Sequence, residues 1–493
     1  MYDLESRFDA VLFDLGNTLV AQADPGVPID ELTVTWLPGA EAALDALHGR
    51  VPLAIVSNTT TLTAADIARL LGPMADRFAT IVATAELGEH KPSPVPVRVA
   101  LERLGVRPER ALLVGDNDSD RAAALAAGVH FAWSGPDLHE RITAQLLHAD
   151  ALERALDGAF PHDPAMADAA RARLDGLAKP AGSLGRLEDA VCRLAVIERT
   201  PTPTVDPAAV AVFVADHGIA ADDSVTPWPQ VVTAIMRETI AGGRAAVSVL
   251  AREAQVYVDV TDVGTLPGVP STVRDARIAD GTADLRSGQA MTRLQALQAL
   301  EVGAATAERL IAGGTRTLAV GEVGMGNTTA AAALIAALCD APAATVTGRG
   351  AGIDDATLAR KTVIVAEAVA ALPDGADVIE VLARVGGLEI AAMAGCIIGA
   401  ASLGIPVILD GVITQAAALV AVALEPRTAP FLIAAHSSAE PGSQIALQHL
   451  GLRALLDLSL RLGEGTGAAL AIPLLRAACA ATRDMATIAE LLA

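Results

Sequence analysis

Short apolar runs, each ending in glycine or a polar residue and followed by a helical pattern, recur along the first part of the chain. Three of them cover residues 11–14, 53–58 and 111–116. Continuous apolar runs of this length suit strands that are buried on both faces of a parallel sheet. Their alternation with helices predicts a doubly wound α/β domain, whose ligands bind at the carboxyl ends of the strands.

The pattern breaks into Gly, Pro and Asp at residues 157–164, ahead of a helical segment at 165–177. The alternation then resumes, with new strand ends at 210–218, 317–324 and 407–411. We therefore predict two domains, 1–155 and 163–493, with the boundary near residue 160. The second is again a doubly wound parallel sheet, and its high alanine content suits additional, closely packed helices.

One apolar stretch, residues 390–409, is uncharged and long enough to span a bilayer. Its content is largely Ala, Gly, Ser and Cys, and Gly404 and Pro406 precede a β-branched run. These features predict a buried helix, a turn and a buried strand rather than a membrane span. The first residues are acidic and lack a long apolar core, so we expect no secretion signal.

The net charge of −22, without any basic run, argues against a nucleic-acid partner, because phosphates would be repelled. Aromatic residues make up only 2% of the chain, which leaves few platforms for stacking on bases. The four cysteines lie far apart and form no C-x-x-C pair, so neither a zinc site nor a disulfide framework is expected. A reducing cytoplasm is the simplest location.

Carboxylates, a hydroxyl and a lysine stand at or after the strand ends of the first domain. They are Asp14, Ser57, Lys91, Asp116 and Asp120. An aspartate can attack phosphorus, carboxylate oxygens can hold Mg²⁺, and a lysine with a hydroxyl can position phosphoryl oxygens. In order and context these residues resemble the haloacid dehalogenase-like superfamily, most of whose members are phosphatases.

The resemblance implies an α/β domain with Mg²⁺ as its cofactor if it is active. It implies that Asp14 is the nucleophile and a metal ligand, and that the Gly16 carbonyl and Asp116 are the other metal ligands. Asp120 would support the metal site. Ser57 and Lys91 would bind the phosphoryl group. The family usually has a second aspartate, the general acid and base, at the position of Gly16. Three alternatives stay open: the domain turns over slowly, it uses another acid, or it is a structural remnant. The short intervals between the motifs also predict a domain without a large cap.

In the second domain, residues 321–329 (GEVGMGNTT) follow an apolar strand and open an alanine-rich helix. Backbone N–H groups, Asn327 and Thr328 therefore meet at a positive helix end, which is an anion site. The order of glycines fits neither a P-loop nor a dinucleotide fold, so the phosphate of a mononucleotide is expected. Lys361 can supply the countercharge, and the alternative for this residue is a solvated helix lysine.

Residues 461–470 (RLGEGTGAAL) set Glu464 inside a group of glycines that lets the backbone close around a small ligand. Apolar surroundings raise the pKa of a carboxylate towards neutrality, where general bases work best. Glu464 is thus the candidate base, and a capping glutamate in a helix-start turn is the alternative.

Seven segments, in order, resemble nicotinate-nucleotide:dimethylbenzimidazole phosphoribosyltransferase from about residue 163 onward. They lie at 179–188, 215–218, 321–329, 386–390, 409–412, 438–442 and 462–467. The resemblance implies transfer of phosphoribose from nicotinate mononucleotide to 5,6-dimethylbenzimidazole, without a cofactor, in a homodimer. Glu464 would be the base and Glu322 the second carboxylate. The nucleotide would bind Gly324, Gly326, Asn327, Thr328, Lys361, Ser438 and Gly463, and the segment 225–229 would wall the aromatic acceptor, with Thr226 as its polar contact.

The chain departs from that family at Ser437, where an arginine is usual, and at Ser443, where a histidine is frequent. Both changes are expected to weaken local polar contacts. Asp216 and His217 are interpreted as a structural pair at a strand end. If both domains act, the first can remove the phosphate from the product of the second. The alternatives are a nucleotide-binding sensor and a sugar-phosphate phosphatase with an inactive second half.

Overall fold

A computed structural model describes residues 8–21, 34–49, 51–134, 151–222 and 225–493 of the chain. The chain divides into two compact units, residues 1–150 and 151–493. The division comes a few residues earlier than the predicted end of the first domain at 155. The reason is that helix Ala151–Leu156 packs against helices Arg293–Ala312 and Leu388–Ser402 of the second unit.

In the first unit, a parallel sheet is flanked by helices on both faces. Its strands are β1 (Ala10–Phe13), β2 (Leu53–Ser57), β3 (Phe78–Ala83), β4 (Ala111–Gly115) and β5 (His130–Trp133). Its helices are α1 (Ala40–Leu47), α2 (Ala64–Leu71), α3 (Val95–Leu104) and α4 (Asp118–Ala127). The strand order is β3-β2-β1-β4-β5, so the direction of winding reverses between β1 and β4. Ligands of such sheets bind at this reversal.

In the second unit, the sheet is also parallel. Its strands are β6 (Ala208–Ala215), β7 (Tyr257–Gly264), β8 (Arg274–Asp275), β9 (Thr317–Val323), β10 (Val407–Leu409) and β11 (Leu432–Ala434), in the order β11-β10-β9-β6-β7-β8. The winding reverses between β6 and β9. Both predicted doubly wound sheets are therefore confirmed.

The helices of the second unit begin with the segment that precedes the sheet. They are α5 (Ala151–Leu156), α6 (Ala165–Asp175), α7 (Arg186–Glu198), α8 (Val231–Ala241), α9 (Ala246–Glu253), α10 (Arg293–Ala312), α11 (Asn327–Leu338), α12 (Ala343–Val346), α13 (Asp355–Ala370), α14 (Val378–Val385), α15 (Leu388–Ser402), α16 (Val412–Leu424), α17 (Gly442–His449), α18 (Thr466–Asp484) and α19 (Ile488–Leu492).

The long apolar stretch forms a helix and a strand of the core. Every residue of α15 is buried, Gly404 takes a left-handed backbone (φ 77°), and β10 follows. This confirms the predicted sequence of helix, turn and strand. Among the described residues, no helix combines the length and apolar character that a bilayer crossing requires. The four cysteines are all free.

Candidate active sites

A cavity in the second unit opens at the carboxyl ends of β9, β10 and β11. Predicted site residues line it together, namely Thr226, Glu322, Gly324, Gly326, Asn327, Thr328, Ser438, Gly463 and Glu464. Lys361 stands behind Thr328 rather than in the lining. The structure thus gathers residues that are scattered over nearly half of the chain.

One end of this cavity has the groups that bind an anion. The turn after β9 leads into α11, whose N-cap is Gly326 and whose first residues are Asn327 and Thr328. The ammonium of Lys361 donates to the Thr328 hydroxyl (2.7 Å) and to the Gly348 carbonyl (3.2 Å). The helix end and the lysine therefore place positive charge on the same side of the cavity.

Lys361 is fully buried on α13, so the alternative of a solvated helix lysine is wrong. Burial lowers the pKa of its ammonium to about 8, although the nearby Glu440 carboxylate favours the charged form. Glu440 is itself buried and accepts a hydrogen bond from the Gly350 amide (2.9 Å). This carboxylate joins the loop around Gly350 to the segment that follows β11.

Glu464 lies close to the anion end and is only 9% exposed. Its Oε2 accepts a hydrogen bond from the Val247 amide (3.2 Å), in the first turn of α9. It does not cap its own helix, because α18 begins at Thr466 after Gly465. Burial raises the pKa of the Glu464 carboxyl, against the effect of the Val247 hydrogen bond.

Asp410 fixes the loop that carries Glu464, a role that was not predicted from the sequence. Its carboxylate accepts hydrogen bonds from the amides of Gly465 (3.2 Å), Gly467 (2.6 Å) and Ala468 (3.1 Å). Glu464 itself has a left-handed backbone (φ 64°). Such a conformation costs a non-glycine residue about 1–3 kcal/mol and persists where the surroundings enforce it. The signal for Asp410 was its position at the strand end of 407–411.

Glu322, at the end of β9, is the second carboxylate of the cavity. Its Oε2 accepts a hydrogen bond from the Asn327 amide group. A Cβ on Gly463 would come within 2.5 Å of Glu322 Oε1, so a larger residue at this position would displace the Glu322 carboxylate. Burial, reinforced by the neighbouring Glu389 charge, raises the pKa of Glu322 well above its usual value.

Asp216 and His217 stand outside the lining of the cavity, as expected for a structural pair. His217 Nε2 lies 2.7 Å from Glu389 Oε1, and both side chains are fully buried. Asp216 Oδ2 accepts a hydrogen bond from the Leu266 amide (2.8 Å). Burial opposes charge on the His217 ring, but the Glu389 carboxylate outweighs it and raises the pKa of His217.

The predicted wall for an aromatic acceptor is only partly present. Val225 and Thr226 line the cavity together with Met236, whereas the side chain of Trp228 is 51% exposed and does not line it. The Thr226 hydroxyl accepts a hydrogen bond from the Trp228 amide (3.3 Å). Met236 could not be predicted as a site residue, because its helix, α8, gives no local signal of a ligand.

The two departures from the family pattern have different surroundings. Ser437 faces another cleft, which is lined by Arg186, Gln444 and Arg453 among others, and not the cavity of Glu464. Ser443 is buried, and its hydroxyl accepts a hydrogen bond from the Ser438 amide (3.2 Å). The side chain of Ser443 therefore bonds a predicted nucleotide-binding residue directly, whereas that of Ser437 faces away from the cavity.

The first unit has its own cavity, of about 530 Å³, at the point where the winding of its sheet reverses. The predicted residues of this unit line it, namely Asp14, Gly16, Ser57, Lys91, Asp116 and Asp120. Lys91 Nζ lies 2.5 Å from Asp14 Oδ1 and 2.5 Å from Asp120 Oδ1, and it donates to the Val56 carbonyl (2.8 Å). Burial raises the pKa of Asp14 to about 6, with Lys91 acting in the opposite direction.

The same carboxylates fit a hard divalent cation. One oxygen from each of Asp14, Asp116 and Asp120 can lie within 4.8 Å of the others. Mg²⁺ binds oxygen ligands of this kind and is usually held by few carboxylates and by phosphate oxygens. Residues 22–33 lie outside the described part of the chain, so the absence of a cap stays a prediction.

The two units match different families of known proteins. A family model described as haloacid dehalogenase-like hydrolase matches residues 26–128. This match covers Ser57, Lys91, Asp116 and Asp120 but begins after Asp14. A second model, described as phosphoribosyltransferase, matches residues 160–491.

Relatives of the second unit agree with that match. The nicotinate-nucleotide–dimethylbenzimidazole phosphoribosyltransferase of Roseiflexus castenholzii is 47% identical over 331 residues, 66% of this chain and 94% of that protein. The protein of the same name from Pseudomonas putida is 45% identical over 68% of this chain and 96% of its own length. A crystal structure of the enzyme of this name from Thermus thermophilus shares 44% identity and a TM-score of 0.64, covering 67% of this chain and 98% of that one. This chain therefore belongs to the nicotinate-nucleotide–dimethylbenzimidazole phosphoribosyltransferase family of transferases, with a haloacid dehalogenase-like region ahead of the transferase unit.

Proposed function

We propose that the second unit transfers phosphoribose from nicotinate mononucleotide to 5,6-dimethylbenzimidazole. The products are α-ribazole 5′-phosphate and nicotinate, and the reaction belongs to the assembly of the lower ligand of cobalamin. The observation that carries the proposal is one cavity with an anion-binding helix end on one side and the buried carboxylates Glu322 and Glu464 beside it. The names of the relatives supply the substrates.

In this proposal the nucleotide is held by its phosphate. The N-terminus of α11 and the Thr328 hydroxyl bind the phosphate, and the Lys361 ammonium behind Thr328 supplies the countercharge. Ser438 and Gly463 contact the ribose side. A phosphate held by fixed donors keeps the anomeric carbon in place, which supplies part of the rate acceleration through orientation. The acceptor lies on the side of Thr226, Val225 and Met236.

Glu464 acts as the general base. One ring nitrogen of the benzimidazole attacks the anomeric carbon while the carboxylate of Glu464 takes the proton from the other nitrogen. The bond to nicotinate breaks with its electron pair on the pyridine nitrogen, so that this leaving group needs no acid. Attack from the opposite face converts the β-nucleotide into an α-nucleotide, and a single base completes the proton balance.

Glu322 has a different part in the proposal. Burial and the neighbouring Glu389 charge raise the pKa of Glu322, which favours its protonated form, and we assign to it the role of hydrogen-bond donor. A protonated carboxyl donates a hydrogen bond to a substrate oxygen and does not repel the negative charge of Glu464. Two acids in one cavity thus divide the roles of donor and acceptor.

The affinity for nicotinate mononucleotide is expected to depend on the charge of Lys361. Its pKa of about 8 means that the ammonium of the free enzyme loses its proton as the pH rises through this value. We expect KM for the nucleotide to rise above about pH 8, while kcat changes less. Lys361→Met should show a high KM without this pH dependence. A wild-type KM that stays constant well above this pH would contradict the assignment.

A second activity, dephosphorylation of α-ribazole 5′-phosphate by the first unit, is supported by the cluster of Asp14, Asp116, Asp120 and Lys91 in one cavity. A bound Mg²⁺ would neutralise charge on the phosphoryl oxygens. The chain residues would do the rest, with Asp14 as nucleophile, and with Ser57 and Lys91 holding the phosphoryl group.

Product analysis of the full chain tests both activities at once. The protein is incubated with nicotinate mononucleotide, dimethylbenzimidazole and Mg²⁺, and the products are separated. Release of nicotinate on adding the azole excludes both the sensor and the sugar-phosphate phosphatase with an inactive transferase half. If only the phosphorylated product accumulates, and Asp14→Asn changes nothing, the second activity is wrong. A cytoplasmic homodimer stays a prediction.

A further inference from the structure

One guanidinium in the cavity of the second unit has no anionic partner. Arg461 belongs to the lining, and its side chain forms neither an ion pair nor a hydrogen bond with any described residue. The four carboxylates of the lining are each held by donors of the chain itself. They are Glu322 with the Asn327 amide group, Asp410 with the amides of Gly465, Gly467 and Ala468, Glu440 with the Gly350 amide, and Glu464 with the Val247 amide. Arg461 is therefore available to an anion that a ligand brings.

The segment that carries Arg461 is fixed on both sides. Before it, the Leu460 carbonyl accepts a hydrogen bond from the Ala439 amide (3.0 Å). After it, Asp410 holds the turn that leads into α18. The guanidinium also reaches the loop 350–352, because a Cβ on Gly352 would lie 3.7 Å from Arg461 Nη1. Although Arg461 is exposed to solvent, it thus has a defined place in the wall of the cavity.

The same loop leads from Arg461 to the anion end of the cavity. A Cβ on Gly350 would lie 2.7 Å from Thr328 Oγ1 and 3.5 Å from Lys361 Nζ. Gly350 and Gly352 are two residues apart, so at most about 7 Å of chain separates them. The loop therefore has a cationic group near each end, and a ligand with two anionic groups can meet both.

Nicotinate mononucleotide has two anionic groups, the phosphate and the carboxylate on its pyridinium ring. A carboxylate that leaves water for a cavity with other carboxylates is unfavourable unless a cation meets it. The phosphate has its donors at the N-terminus of α11. His436, the other basic residue of the described lining, already pairs with Asp410 (3.5 Å). Arg461 is the remaining cation for the ring carboxylate.

We propose that Arg461 binds the carboxylate of the nicotinate ring and thereby selects nicotinate mononucleotide over its amide, nicotinamide mononucleotide. The inference rests on the proposed transfer reaction, in which nicotinate mononucleotide is the donor. A guanidinium gives a carboxylate two parallel N–H···O bonds, whereas a carboxamide is uncharged and has a single oxygen to accept them. Arg461 takes no part in the bonds that form and break, since nicotinate leaves with the electron pair on its ring nitrogen.

The test compares the two nucleotides as phosphoribosyl donors to dimethylbenzimidazole, with the full chain and release of the pyridine product as the readout. The two donors share the phosphate and the ribose. We expect Arg461→Met to lower kcat/KM for nicotinate mononucleotide by about 10- to 100-fold, mainly through KM, and to leave kcat/KM for nicotinamide mononucleotide nearly unchanged. Equal losses with both donors would place Arg461 at the phosphate and would overturn the proposal.

Two further variants separate a direct contact from an effect of net charge. Arg461→Lys keeps the positive charge and loses the planar fork, so its preference for the acid should lie between those of the wild type and Arg461→Met. Arg453→Met is the matched control, because Arg453 is exposed and lines the cleft that Ser437 faces. We expect it to leave both donors unchanged. If it reduced the preference as much as Arg461→Met, the proposal would be wrong.

Equilibrium binding distinguishes a failure of this inference from a failure of the transfer reaction. Each nucleotide is titrated into the wild type and Arg461→Met without an acceptor. If the wild type prefers the acid, the variant does not, and no nicotinate is released on adding the azole, the transfer is wrong and the role of Arg461 stands. If transfer takes place and the variant keeps the full preference, the role of Arg461 is wrong and the transfer stands. Thermal unfolding of each variant checks that the full chain has folded.

Discussion

Glu464→Gln is expected to lower kcat for phosphoribosyl transfer by at least about 10²-fold and to leave nicotinate mononucleotide affinity nearly unchanged. Glutamine keeps the shape of the side chain and can still accept the hydrogen bond from the Val247 amide. It cannot take the azole proton. The measurement is nicotinate release at saturating acceptor, together with nucleotide binding by titration. More than about a tenth of the wild-type turnover would count against the role of Glu464.

The pH profile of the transfer rate is a second test of the role of Glu464. The pKa of Glu464 is raised by burial, so the wild-type rate should fall on the acid side at a higher pH than an ordinary glutamate predicts. A base is active only when deprotonated, and this fall should vanish from the residual activity of Glu464→Gln. Glu367→Gln is the matched control, since Glu367 lies exposed on α13.

Asp410→Ala is expected to reduce both stability and turnover. It leaves the amides of Gly465, Gly467 and Ala468 buried without their acceptor, at about 1–3 kcal/mol for each unsatisfied group. The left-handed backbone of Glu464 then loses its support, so we expect kcat to fall by about 10²-fold, since a misplacement of about 1 Å can have this effect.

Asp410→Asn is a more conservative variant that removes only part of these hydrogen bonds. The asparagine oxygen can still accept from Gly467 and Ala468, while its amide group faces the Gly465 amide as a second donor. We expect an intermediate loss in urea unfolding and in kcat, with KM for the nucleotide close to wild type, because the anion end does not depend on this residue. If Asp410→Ala matched the wild type in kcat, Asp410 would have no part in placing Glu464.

The fold could be predicted to a large extent from apolar runs. The strands at 11–13, 53–57, 317–323 and 407–409 were found because each is a continuous apolar run that ends in a polar or glycine-rich turn. The strands β3 and β7 escaped prediction. Phe78–Ala83 and Tyr257–Gly264 mix apolar with polar residues, so neither is a continuous apolar run. In β7 the polar residues Asp259, Thr261 and Asp262 are buried, which the sequence pattern does not indicate.

The candidate site was less accessible to sequence reasoning, because its contacts join distant parts of the chain. The 321–329 turn was found, since a strand, glycines and a helix start are all local. The anchors of Glu464 were not, because Val247 and Asp410 belong to other elements and nothing near residue 464 points to them. The burial of Lys361 could not be predicted either, because most other residues of its helix, α13, are not buried.

Gly16 also bears on how this chain can evolve. A Cβ at this position would meet no described atom within 4 Å, and the φ of Gly16 lies outside the left-handed region. Any glycine codon becomes the codon of an acidic residue by a single base change, so a carboxylate two residues from Asp14 is one mutational step away from the present sequence. Under selection for faster hydrolysis of phosphate esters by the first unit, position 16 is where the first beneficial substitution should appear.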